Sequence, residues 1–515
     1  MAGEQPRPGG TLTFVVASEP PSFDAHRETT YAILHPGSPQ YSTLLRYDPN
    51  DLTKIIPDVA ASMPEFSPDK LTATVKLRTD VKFHDGTPMT GEDVLATYNK
   101  IVFPPQGVAS ARQGAYAAVE SMSATKDTIV FKLKYPSASF VASLASPWNW
   151  IYSAAKLKQD IKWYEKNVGP GTGPFVFDKY TKGSDWTGKK NPDYFGKDKN
   201  GTQLPYLDGY KAIFIVDVTA QVNAIRGKTA QIEFRGFTPE QRDTLARALG
   251  TDLAIQEAPW ICVNYITPNT KKAPFNDVRV RRALTIALDR WKMGEDLQKI
   301  TSLRDIGGLM RPKGPFAMPD ADLAKIAGFS RDAAAAKQQA RDLLKAAGQE
   351  GLKFNLLNRN TPTPYEPLAI RLLDEWKQVG ITVTNQPKQT TAYFADLDSG
   401  NFDVALDFNC DFLDEPDLQL AKFYSVSRVG TTLNRAGFND TKLDGMIDAQ
   451  SRETDPEKRK KLVWDIERYA MDEMAYMSPS PWWFRIIPYS NKVRGWKVGS
   501  NHYTNQDLVS VWLAP

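Results

Sequence analysis

The chain has 515 residues, a formal net charge of +4, 41% hydrophobic and 24% charged residues. That is ordinary globular usage; it excludes a largely disordered chain and leaves room for about three to five domains of roughly 100–200 residues each, or a few large lobes. With 64 basic against 60 acidic residues and no run of five like charges, nothing argues for a nucleic-acid partner.

The N-terminal ten residues, Met1 to Gly10, are polar and rich in Pro and Gly, with no apolar core of a secretory signal. They read either as a cytosolic start or as a mature secreted chain carrying a replacement Met. The β-branched run Thr11 to Ala17 predicts a strand that Pro20 and Pro21 stop. Leu71 to Arg78 alternates strictly, with Leu71, Ala73, Val75 and Leu77 on one side, which predicts a half-buried strand; Thr128 to Lys134 is its expected neighbour. Thr90 to Asp93 has the form of a capping box, followed by the helical stripe Val94, Leu95, Tyr98, Ile101 and Val102. The region 170–265 reads as strand-rich with breakers. Helices are then expected behind Asn276-Asp277, from Ser330 to Gly348, from Pro367 at a first helical position to Gly380, and from Asp455-Pro456 onward, with a strand at Ile381 to Val383. Alternation of strands and helices through 275–480 favours an α/β lobe. No segment reaches the roughly 18 apolar residues of a membrane helix.

Enzyme signatures are missing. Gly183 to Lys189 has the glycine and lysine spacing of a phosphate-cradling loop, but Lys190 replaces the hydroxyl residue and Asn191-Pro192 prevents the helix that would follow. There is no Gly-x-Ser-x-Gly elbow, no His-Glu-x-x-His, and no pair of the four histidines His26, His35, His84 and His502 at metal-ligand spacing. No catalytic residue, metal site or cofactor is therefore expected. Two cysteines, Cys262 and Cys410, exclude a disulfide-dense scaffold.

Four stretches in register resemble one family. They are Leu71 to Pro88, ending Lys82-Phe83-His84-Asp85-Gly86-Thr87-Pro88; Gly171-Thr172-Gly173-Pro174-Phe175; Pro274 to Leu284 continuing to Asp289-Arg290; and Phe402-Asp403-Val404 to Pro416-Asp417. Together they are similar to the extracytoplasmic solute-binding proteins of ABC importers, family 5, the dipeptide, oligopeptide and nickel class. The resemblance implies an α/β fold: a two-lobed periplasmic-binding-protein clamp of type II with an extra mixed α/β domain, the ligand being enclosed between the lobes. Lobe I would comprise 10–44, 170–265 and 484–515, the extra domain 45–169, and lobe II 266–483. His84 and Asp85 would then form a structural turn.

The resemblance also points to ligand contacts. Asp411 is the first candidate, matching the carboxylate that pairs with the ligand α-amino group in peptide-binding relatives; the register leaves Asp411 and Asp414 both open. Asn409 lies beside it. Arg359 follows a predicted strand and could meet a carboxylate bidentately. Trp148, Trp150, Trp260, Trp482 and Trp483 could stack on a ring, sugar or peptide plane, and Phe23 lies in a turn like the family's cleft edge. Cys262 and Cys410 would fall near the lobe crossings, either bridged in an oxidising periplasm, limiting lobe motion, or as two buried thiols. The implied function is capture of a peptide or amine-bearing compound by a periplasmic monomer that delivers it to an ABC permease of the inner membrane. An oligosaccharide, opine, aromatic acid or metal chelate on the same scaffold is the alternative ligand class, and a periplasmic enzyme or chaperone the alternative from another class.

Overall fold

The computed structural model describes residues 4–515. The chain folds as two units, Met1–Glu257 with Ile486–Pro515, and Ala258–Arg485.

In the first unit, strand β1 (Thr11–Val16) is followed by a small sheet built from β2 (Glu65–Phe66), β3 (Thr72–Lys76), β4 (Val119–Ala124) and β5 (Thr128–Leu133), in the order β2–β3–β5–β4. The alternation read in the sequence is realised: Ala73 and Val75 are fully buried, and β3 pairs antiparallel with β5. Helix α1 (Gly91–Val102) closes over this sheet behind its Thr90/Asp93 capping box, burying Val94, Tyr98 and Ile101. The larger sheet of this unit joins β1 to β6 (Phe175–Thr181), β7 (Asp185–Lys190), β8 (Gly209–Phe214) and β9 (Ile232–Glu233), in the order β9–β1–β8–β7–β6. Helices α2 (Val218–Arg226) and α3 (Pro239–Leu249) lie beside it, so the region read as strand-rich is mixed. Thr238 caps α3 reciprocally with Gln241, a Thr-x-x-Gln signature of the kind that marks helix starts.

Two motifs of this unit have structural explanations. Gly171 and Gly173 cross the backbone of Gln40 so closely that a Cβ on either would collide with it. His84 fastens the same crossing: its Nε2 bonds the Gly173 carbonyl at 3.0 Å and its Nδ1 accepts from the Gly171 N–H at 3.3 Å.

The second unit is built on a six-stranded sheet. Strand β10 (Leu253–Pro268) leads in and is followed by helices α4 (Val278–Ile286) and α5 (Arg290–Leu297), strand β11 (Leu303–Asp305), helix α6 (Ala333–Ala346), β12 (Lys353–Arg359), α7 (Tyr365–Lys377), β13 (Thr382–Lys388), α8 (Thr390–Ser399), β14 (Val404–Cys410), α9 (Thr441–Arg452), α10 (Pro456–Glu467) and β15 (Ser478–Ser490). The sheet order is β11–β15–β10–β14–β12–β13. Strand β12 runs parallel to both β13 and β14, while β10 is antiparallel to β14. Helix α7 buries Leu368, Leu372 and Trp376 with Leu356 and Val404, whereas α8 buries Tyr393 and Leu397 with Leu357 and Ala405. Neighbouring strand residues point to opposite faces, so α7 and α8 cover opposite faces of the sheet.

Local departures from expectation have local causes. Helix α6 begins at Ala333 rather than near Ser330, because Asp332 caps it, accepting from the Ala335 N–H at 3.0 Å. Pro367 is the third residue of α7, not the first; the N–H of that turn has no intrahelical partner, so proline costs nothing there.

Candidate functional site

Strand order reverses direction between β12 and β14: the chain leaves β12 through α7 on one face and returns to β14 through α8 on the other. In open α/β sheets such a switch point leaves a crevice beyond the carboxyl ends of the strands, where ligands bind. Here those ends are Arg359 on β12 and Asn409-Cys410 on β14, with Asp411 next in the chain.

Two carboxylates near this edge have opposite circumstances. Asp407 is fully buried and carries an internal ion pair on each oxygen, Lys422 Nζ at 2.6 Å and a guanidinium nitrogen of Arg435 at 2.6 Å. Burial works against its ionisation, but these two cations outweigh it and hold it below the usual carboxylate range. Asp411 is half-buried and, among the described residues, has one side-chain hydrogen bond, from Asn409 Nδ2 at 2.7 Å. Burial pushes its carboxyl up to about 7, against the more distant charge of Lys422 and the Asn409 bond. Its ionised form has room for further donors beside the Asn409 bond. The second amide hydrogen of Asn409 goes to Gln419 Oε1 at 3.1 Å. Among the described residues, the buried Gln419 Nε2 and the buried Tyr265 hydroxyl have no hydrogen-bond partner, and the Asp411 charge is the foremost charge acting on Tyr265. Asp414 is engaged elsewhere: Arg311 holds its Oδ2 through two nitrogens at 2.8 and 2.5 Å. Of the two register candidates, Asp411 is the one without a cation.

Arg359 is half-buried, bonds Thr390 Oγ1 at 3.1 Å, and has no acidic partner among the described residues. Its guanidinium lies 5.8 Å from the ring centres of Tyr365 and Phe394. Trp483 is half-buried, donates Nε1–H to Asn264 Oδ1 at 2.8 Å, and meets Trp260 edge-on at 5.7 Å. Arg359, Asn409, Asp411, Trp260 and Trp483 are thus all carried by the second unit.

The other expected contacts lie elsewhere. Trp482, next to Trp483, points into the core with Tyr265 and Met471 and donates to the Gly308 carbonyl at 3.1 Å. Trp148 is fully buried under Arg112 and against Tyr503. Trp150 stacks on Tyr41 at 4.4 Å, with Gly37 against its edge. These three rings are packing residues of their units, because their faces are already filled, and they leave the candidate site. Phe23 is half-buried in the first unit, edge-on to Tyr180 and Trp186. Cys262 and Cys410 form a disulfide between directly opposed residues of β10 and β14. Both belong to the second unit, so the bond fastens one sheet and does not tie the two units together. Sequence reasoning missed Asn264, Tyr365, Phe394 and Phe408; only Asn264 left a signal, as a lone amide within the apolar run Ile261 to Ile266.

The chain is similar to known proteins along most of its length. Residues 54–431 match the family model of bacterial extracellular solute-binding proteins, family 5 Middle. A di/tripeptide-binding protein 2 of Pseudomonas aeruginosa is 26% identical over 497 residues, covering 91% of this chain and 88% of the relative. In fold, the chain is similar to a periplasmic binding protein, DppA, of Helicobacter pylori solved with the peptide STSA (TM-score 0.78, 22% identity, 98% of both chains). It is also similar to AgaA of A. tumefaciens R10 solved with agropinic acid (TM-score 0.75, 24% identity, 98% of this chain and 99% of that one). With more than half of its length matched by the family model, and with the α/β architecture shared end to end by these structures, the chain belongs to the bacterial extracellular solute-binding proteins of family 5.

Proposed function

We propose that this chain is the periplasmic binding component of an ABC importer, that it captures short peptides bearing a free α-amino group, and that it hands them to an inner-membrane permease without chemical change. The observation that carries this reading is Asp411, a half-buried carboxylate at the switch-point edge that among the described residues has one hydrogen bond and no ion pair. A buried charge is stable only when paired, and a ligand ammonium supplies the missing partner with charge-assisted hydrogen bonds.

Arg359 supports a ligand that also carries a carboxylate. Leu356 is level with Val404 across β12 and β14, so Arg359 is level with Asp407 and Asp411 lies four residues further on. At about 3.3 Å per residue along the strand and about 4.8 Å across, the two α-carbons are roughly 14 Å apart. Once both side chains reach inward, that spacing suits an extended chain of about two or three residues. The name of the di/tripeptide-binding relative points the same way. The division into a discontinuous lobe (10–44, 170–265, 484–515), an extra domain (45–169) and a second lobe (266–483) belongs to the same proposal, as does action as a monomer.

An opine or aromatic acid would instead use the half-buried rings Trp483, Phe394 and Phe408; the agropinic acid complex of AgaA favours keeping this second reading. Titration calorimetry with a dipeptide decides. Asp411→Ala loses at least roughly 2 kcal/mol of binding if Asp411 pairs with the ammonium; an unchanged dissociation constant removes Asp411 from the site.

A further inference from the structure

We propose that Asn264 sets the side-chain preference of this site by fixing the Trp483 indole as one wall of an aromatic pocket that takes large apolar side chains. The inference rests on the peptide reading above and deepens it.

Asn264 is fully buried in β10 between Val263 and Tyr265, which are fully buried as well. An amide in such a place costs free energy unless its groups are bonded, and a leucine of similar volume would fill the position without that cost. All the bonds Asn264 makes reach out to other elements. Its Oδ1 accepts from Trp483 on β15 at 2.8 Å, and its Nδ2 donates to the Asp407 carbonyl on β14 at 3.3 Å. One amide therefore joins the Trp483 indole to the strand that leads to Asp411.

The consequence falls on Trp483. Its one polar atom is tied to Asn264, and its ring stands nearly perpendicular to Trp260 (85°) and to Tyr365 (84°, 6.4 Å between centres). Perpendicular rings are a favoured aromatic arrangement, but a half-buried indole without its N–H partner has other rotamers open to it. Phe394 and Phe408, both half-buried and 6.0 Å apart, continue the aromatic lining. Arg359 and Arg435 lie over Phe394 at 5.8 and 5.7 Å. Arg435 is paired with Asp407 and Asp398, whereas Arg359 has no acidic partner among the described residues. A flat apolar side chain gains ring contacts here that a methyl group or a lysine stem does not.

The test uses full-length, ligand-stripped protein labelled with 5-fluorotryptophan, the dipeptides Ala-Ala, Ala-Phe and Ala-Lys, and the variants Asn264→Leu, Trp483→Phe and their combination. The 19F line of Trp483 is the one that Trp483→Phe deletes. Wild-type protein should bind Ala-Phe at least about tenfold more tightly than Ala-Ala or Ala-Lys, the scale at which an apolar pocket discriminates. In Asn264→Leu the preference should shrink to within about threefold, and the Trp483 line should broaden or split. The double variant should add nothing to Trp483→Phe, as expected of residues acting through one contact. Trp483→Phe keeps the test open should Asn264→Leu fail to fold, because it must lose the preference by itself. If wild-type protein binds and either folded variant keeps the full preference, the inference is overturned while the peptide reading stands. If wild-type protein binds none of the three dipeptides, the peptide reading falls and takes the inference with it.

Discussion

The carboxyl of Asp411, pushed up to about 7 by burial, makes a definite prediction about pH. An ammonium ligand needs Asp411 ionised, so a proton must leave the carboxyl before or during binding. Affinity therefore falls as pH drops through 7, approaching tenfold per pH unit well below it. The ligand's own α-amino group, with an ordinary pKa of about 7.7–8.0, loses its charge on the other side. The competent fraction is the product of the two ionisations, and it peaks between about pH 7 and 8. With values of about 7 and about 7.9, a dipeptide binds about 50-fold more weakly at pH 5 than at pH 7.4. Titration calorimetry with Ala-Ala from pH 5 to 9, in two buffers of different ionisation enthalpy, measures both the affinity and the proton released. Asp411→Asn should flatten the acidic limb and abolish the proton release. A wild-type profile that is flat between pH 5 and 7, or an acidic limb that persists in Asp411→Asn, would refute the pairing.

Other outcomes follow from individual contacts. Arg359→Ala should weaken Ala-Ala by about 1.5–3 kcal/mol, the range for hydrogen bonds to charged groups, yet leave its C-terminal amide unaffected; equal losses for both ligands would take Arg359 out of the carboxylate role. Replacing Cys262 and Cys410 together by Ser opens a cross-link of sequence separation 148 and should cost about 2–5 kcal/mol in urea unfolding; a cost under about 1 kcal/mol would show that the β10–β14 ladder holds without it. Gly171→Ala forces a Cβ into the Gln40 carbonyl and should destabilise by more than about 3 kcal/mol, beyond the common range for single changes. By contrast, Gly445 lies exposed in α9 with no atom near its absent Cβ, so Gly445→Ala should raise stability by about 0.4–1 kcal/mol; a lower thermal midpoint would contradict that.

Local chemistry made much of the fold legible. The Thr90/Asp93 box and the Asp277 and Asp455 caps each name a partner within a few residues, the period-two run from Leu71 names its own buried face, and each is found where the sequence puts it. The site was legible only in part, because its decisions are made at long range. Trp482 and Trp483 are equivalent in sequence, but neighbouring residues of a strand face opposite ways: one became core beneath Gly308 and the other met Asn264. Asp411 and Asp414 are separated in role by Arg311, a residue 103 positions upstream of Asp414. Trp148 and Trp150 stand in a loop-like stretch rich enough in aromatics to suggest a ligand, and Tyr503 and Tyr41 cover them instead. Phe394 and Phe408 gave no signal, since an aromatic residue on a helix or a strand reads as core until its neighbours are known.

The central claim is that this protein holds a short peptide by its free α-amino group. A thermal-shift panel on refolded, ligand-stripped protein tests it most directly, with di- and tripeptides set against their N-acetylated forms and against oligosaccharides, opines and aromatic acids. A ligand at about 100 times its dissociation constant stabilises by about 2.7 kcal/mol, enough to move the midpoint by about 2 °C or more in a chain of this size. The account predicts a shift with the free-amine peptides that acetylation removes. A shift that survives acetylation, or one seen only with the sugars, opines or aromatic acids, would contradict it.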